Sequence, residues 1–185
     1  MKKLSILLSV LVVATSVSFA QESVFNKGDK ALNLGIGFGS ILYMGSYYST
    51  QVPPVSASLE YGYLDGVLEK GVIGLGGYVG YSAHKWEYYN WGWRYTTFII
   101  GARGTFHYPL VDKMDTYMGL LLGARIVSSK EFGTNTGYYD YSAAGSGLAY
   151  SWFVGARYFF TPNFAVMGEL GYGISYINLG IALKI

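Results

Sequence analysis

The final nine residues, Ile177-Asn178-Leu179-Gly180-Ile181-Ala182-Leu183-Lys184-Ile185, alternate branched aliphatics with small, polar or charged residues without a break. Successive side chains of a helix do not oppose one another, so a period of two is a strand signal. One face of this strand is hydrocarbon and the other carries an amine. Seven further segments repeat the pattern: 31–39, 55–63, 71–84, 93–108, 116–127, 148–160 and 163–172. Their apolar sets include Leu34/Ile36/Phe38, Val55/Leu59/Tyr61, Leu75/Val79/Tyr81, Phe98/Ile100/Phe106, Met118/Leu120/Leu122, Trp152/Val154/Tyr158 and Phe164/Val166/Leu170. The connections alternate between short (64–70, 109–115, 161–162) and long, aromatic-rich (40–54, 85–92, 128–147), with a short exception near 173–175. Recurring half-apolar strands with short turns at one end and long loops at the other predict an all-β fold. The predicted form is an eight-stranded antiparallel up-and-down transmembrane β-barrel with lipid outside and polar groups inside.

The N-terminus predicts export. Lys2 and Lys3 precede an apolar stretch over 4–17 and the small-x-small site Ser18-Phe19-Ala20, the pattern of a cleaved signal peptide. The expected organisation is a signal peptide over 1–20, a short polar leader over 21–30 and a barrel domain over 31–185. The chain contains no Cys, so no disulfide stabilises it. Charged residues make up only 13% and the formal charge is +2, too little to suggest a nucleic-acid partner. No later segment is apolar for long enough to form a spanning helix, so a membrane span must be a closed sheet.

Parity is the strongest constraint. Glu60, Arg103, Arg125, Arg157, Glu169 and Lys184 all fall on the non-apolar face of their strands. A slip of one residue would turn them all towards lipid, where each Arg costs about 2–4 kcal/mol at mid-bilayer. These six are expected to form a structural charge network in the lumen, with Arg157 and Glu169 meeting near one turn. Tyr61, Tyr63, Phe106, Tyr108, Tyr158, Phe160 and Phe164 are expected at the inner interface, and Tyr81, Trp93, Tyr95, Tyr150 and Trp152 at the outer one.

The chain resembles the small outer-membrane β-barrel family of the OmpA transmembrane-domain and OmpX type, and porin-like members from Bacteroidetes-type bacteria. The resemblance is carried by Glu169-Leu170-Gly171-Tyr172-Gly173, by the closing Asn178-Leu179-Gly180, and by Gly-Ala-Arg at 101–103, 123–125 and 155–157. It implies an integral protein of the Gram-negative outer membrane, among outer-membrane lipids and lipopolysaccharide. The terminal strand, ending in Ile185 where the family usually ends in Phe, looks like a signal to the barrel-assembly machinery.

Three functions are compatible with this sequence. The first is a structural or surface-recognition protein with a plugged lumen. Its candidate recognition residues are Tyr47, Tyr48, Tyr88, Tyr89, Trp91, Tyr138, Tyr139 and Tyr141, with Tyr43, for an extracellular protein or glycan ligand. The second is a small pore for ions or small molecules, favoured by small inner residues and opposed by barrel size. The third is a lipid A-modifying enzyme, for which Ser82, His84 and Glu87 are the sole arrangement near a nucleophile–base pair. Their spacing of about 7 Å between same-face neighbours argues against it. The expectation is therefore no enzyme, no catalytic residue, no cofactor and no metal. His107 is expected to pair with a carboxylate or water, and Asp112, Asp115 and Asp140 to be ordinary turn or loop acids.

Overall fold

The computed structural model describes residues 23–40, 42–43, 45–88, 90–134 and 145–185. The signal-peptide expectation, Tyr89, Tyr138, Tyr139, Asp140 and Tyr141 lie outside them. Eight strands follow in order: β1 (Lys30–Phe38), β2 (Tyr48–Val67), β3 (Gly71–Tyr88), β4 (Trp91–Val111), β5 (Met114–Phe132), β6 (Gly147–Phe159), β7 (Phe164–Tyr172) and β8 (Ile177–Lys184). Each pairs antiparallel with its chain neighbours, and β1 pairs with β8, closing the barrel.

The apolar parity faces outward on every strand. Leu120, Leu122, Ile100, Val79, Leu59, Leu148 and Leu170 are among the exposed large side chains, with Leu120 68% exposed. So wide an apolar surface is untenable in water. On β3 the outward run from Ile73 to Ala83 covers about 25 Å of height at ~3.3 Å per residue and a tilt of ~40°. That is the height of a transmembrane barrel's lipid belt, and we read the strands as spanning a membrane.

Closure depends on close backbone approach at the seam. Gly35 and Gly180 are register partners between β1 and β8. A Cβ on Gly180 would lie 1.9 Å from the Leu34 carbonyl oxygen, so no side chain fits. The Ile185 amide donates to the Lys30 carbonyl at 2.9 Å, joining both ends on the short-turn side.

The strands are longer than their alternating cores. β2 begins at Tyr48 rather than 55, and β3 and β4 run to Tyr88 and from Trp91. The supposed loop over 85–92 is therefore mostly a hairpin, turned at Asn90 with φ 64°. β5 continues to Phe132, although its pairing with β6 starts only at Arg125–Gly147. The barrel is lopsided as a result: β2 to β5 form a tall wall, while β1, β7 and β8 stop low. Hydrophobic alternation fades where strands leave the lipid belt, because both faces there meet water or loops.

Candidate functional site: the filled interior

The inward parity brings buried charges together. Arg157 is fully buried. Its Nη2 lies 2.7 Å from Glu60 Oε2 and its Nε 3.0 Å from Asp115 Oδ2. Nη1 donates to Asn33 Oδ1 at 3.4 Å. The His107 ring bridges the same two acids, with Nδ1 2.8 Å from Asp115 Oδ1 and Nε2 2.8 Å from Glu60 Oε1. Thr105 Oγ1 donates to Glu60 Oε1 as well. A second centre lies above. Arg103 Nη2 pairs with Glu169 Oε1 at 2.6 Å, and the Tyr117 hydroxyl and Asn178 amide donate to the same carboxylate at 2.9 and 3.1 Å. The Tyr117 ring packs face-on against the Arg157 guanidinium, 4.7 Å from centroid to Cζ, and links the two centres. Charges so far from water persist only when paired and hydrogen-bonded.

This pairing corrects the expected one. Arg157 and Glu169 do not meet: Arg157 takes Glu60 and Asp115, and Glu169 takes Arg103. Adjacent strands offer Arg157 a neighbour in register, but that neighbour is Asp115 on β5. Asp115 is 4% exposed, not an ordinary turn acid. Arg125 stands apart at the upper rim, donating to the Gly145 carbonyl at 3.3 Å. Lys184 is half-buried at the lower rim and reaches the Val24 carbonyl at 3.1 Å and Asp29 at 3.3 Å.

Both ends of the network are covered. Residues 26–29, read from composition as a polar leader, add to the lower end of β2 through Gly28 N–Gly62 O and Gly62 N–Asp29 O bonds of 2.8 and 2.9 Å. Phe25 is fully buried, its ring tilted against the His107 ring at 4.5 Å and 5.1 Å from the Arg157 guanidinium. Above the network, Tyr78, Ile99, Leu121, Phe153 and Ile174 form a buried apolar layer continuous with the Tyr117 ring, with Leu42 from the first long loop against it. The space left between that layer and the Arg103–Glu169 pair is about 30 Å³, enough for one or two waters. Larger grooves, about 460 and 590 Å³, lie on the outward apolar face over Gly104, Gly119, Gly155 and Gly168.

The mouth holds four corrections. Tyr43, expected in an exposed crown, is buried with its ring 4.5 Å from His84 and its hydroxyl 2.8 Å from Thr97 Oγ1. Trp91 is also buried and donates Nε1–H to Glu131 at 2.5 Å. Tyr95 and Trp93, both assigned to the outer girdle, have inward parity, and Tyr95 is 1% exposed. Of the other crown tyrosines, Tyr47 is 54% exposed and packs edge-on against Trp86 and Tyr88, while Tyr48 contacts Tyr43. Ser82 and His84 are both buried, but Glu87 has the opposite parity and pairs with Lys85 at 2.6 Å. The acid therefore lies across the sheet from the histidine, so no nucleophile–base–acid line forms among these three. The described residues contain no group of three His, Asp or Glu arranged to hold a metal.

The chain matches no protein-family model and no curated protein sequence. Solved structures similar to it include a de novo designed transmembrane β-barrel, at 18% identity and TM-score 0.47, covering 86% of this chain and 98% of that one. Another is the N-terminal β-barrel domain of Pseudomonas aeruginosa OprF, at 13% identity and TM-score 0.49, covering 86% and 98%. A third is Yersinia pestis outer-membrane protein Ail in a phospholipid nanodisc, at 14% identity and TM-score 0.46, covering 86% and 100%. The likeness is one of architecture.

Proposed function

We propose that this protein is an integral outer-membrane barrel of the OmpA transmembrane-domain and OmpX type with a closed lumen. Its role is to support the envelope and present surface for recognition, not to conduct solutes or catalyse. The observation carrying this reading is the continuous stack inside the barrel: Phe25, the Glu60–Arg157–Asp115–His107 centre, the Arg103–Glu169 pair and the apolar layer around Phe153. An ion crossing that stack would have to break pairs that bury charge away from water. The signal-peptide pattern favours export, and the apolar terminal strand favours insertion by the barrel-assembly machinery among outer-membrane lipids and lipopolysaccharide.

The tall β2–β5 wall and its loops are the proposed recognition surface for an extracellular protein or glycan. Exposed Tyr47, packed edge-on by Trp86 and Tyr88, offers a rigid aromatic contact with little ordering cost. Tyr89, Tyr138, Tyr139 and Tyr141 belong to the same proposal by position in the chain. The test is reconstitution of the purified protein in planar bilayers beside a surface-binding screen. Electrically silent bilayers with a captured protein or glycan support the reading; stable single-channel steps overturn it.

A further inference from the structure

Four register rows cross β3, β4 and β5 near the top of the lipid belt. Tyr81–Phe98–Ile126 is apolar, Ala83–Thr96–Ser128 is small, Lys85–Arg94–Lys130 is cationic, and Glu87–Gly92–Phe132 lies above. All twelve positions share the outward parity of exposed Phe98 and Ile126. The three cations thus stand side by side, one strand apart, just above the hydrocarbon. Like charges directly opposite one another in a sheet are destabilising. Glu87 neutralises Lys85 in part at 2.6 Å, and the Phe132 ring lies 4.7 Å from Lys85 Nζ and 5.5 Å from Arg94 Cζ. Arg94 and Lys130 form no ion pair among the described residues.

We propose that the outward row Lys85–Arg94–Lys130 is a binding site for a phosphorylated lipid of the outer leaflet, its phosphates against the cations and its acyl chains along the Tyr81–Phe98–Ile126 row below. The row of small residues leaves a ledge between charge and grease, and Thr96 and Ser128 carry hydroxyls there. An amphiphile with anionic groups at the interface fits both halves; a free anion uses only one. The site rests on the outer-membrane reading above.

The test titrates refolded protein in detergent with bisphosphorylated lipid A, its dephosphorylated form and inorganic phosphate, read by native mass spectrometry. The variant is Lys85→Gln/Arg94→Gln/Lys130→Gln. Its charge-matched control at the opposite rim is Lys27→Gln/Lys70→Gln/Lys113→Gln, three exposed residues. Heat-modified gel mobility checks that both remain folded. Each interfacial cation contributes enough that losing three should weaken lipid A binding about a hundredfold. The control should bind like the wild type, and the dephosphorylated lipid should bind wild type and variant alike. Equal losses in both variants, retained binding in the first, or displacement of the lipid by equimolar phosphate would overturn the site. Ser46→Cys, labelled by an impermeant thiol reagent in intact Gram-negative cells, tests orientation separately: labelling only after permeabilisation sinks the outer-membrane reading instead.

Discussion

Replacing Arg157 by Leu removes the cation on which the lower half of the interior converges. Glu60 and Asp115, both nearly inaccessible, lose contacts of 2.7 and 3.0 Å and keep His107 as their shared partner. Breaking a buried pair by deleting one member costs about 3–5 kcal/mol, since the remaining charge stays desolvated. A domain's whole stability is about 5–15 kcal/mol, so the variant should lose about a fifth of it at the least. Urea unfolding in lipid vesicles, followed by tryptophan fluorescence, gives the number. Heat-modified gel mobility gives the same ranking. Conductance should stay absent, because the Arg103–Glu169 pair and the Phe153 layer lie above the lesion and are untouched. Removing the orphaned charges too, as Arg157→Met/Glu60→Gln/Asp115→Asn, should recover much of the loss, as buried ion pairs often break even against uncharged replacements. An Arg157→Leu protein within about 0.5 kcal/mol of wild type, the range of neutral surface changes, would refute the account of the interior.

Three other outcomes follow from the same geometry. Phe25→Ala should cost about 3–5 kcal/mol by the usual penalty for a buried aromatic, and hydrogen exchange should show faster opening of residues 26–29, with no channel formed. Gly180→Ala should lower the yield of heat-modifiable barrel, since its Cβ meets the Leu34 carbonyl oxygen at 1.9 Å and the β1–β8 seam has no slack; normal assembly would contradict the seam as described. Leu120→Arg should destabilise by about 2–4 kcal/mol in vesicles; a neutral result would mean that position does not face lipid.

Much of the architecture was legible because a lipid-facing strand carries a binary code with period two, and Leu120 beside Leu121 shows its resolution: one 68% exposed, the other 4%. Strand length was less legible. Beyond the belt, as at Ser128 to Phe132, no hydrocarbon enforces alternation, so hairpin and loop look alike. Partner choice across the lumen was not legible, because it depends on register summed around the barrel. Asp115 was nonetheless within reach: extending the inward parity of β5 back one step from Tyr117 places it inside, opposite Arg157. Tyr95 and Trp93 are errors of the same rule, since counting back by twos from Ile99 puts both in the lumen. Phe25 left no periodic signal, as a single aromatic in a polar segment gives its burial away only through the cavity it fills.

The central claim is that neighbouring residues on one strand face opposite solvents. Single cysteines along β6 at Leu148, Ala149, Tyr150, Ser151, Trp152, Phe153 and Val154, tagged with a small fluorophore and quenched by brominated lipids, read that directly. The account predicts strong quenching at 148, 150, 152 and 154 and weak quenching at 149, 151 and 153. Uniform quenching, or the opposite alternation, would contradict it.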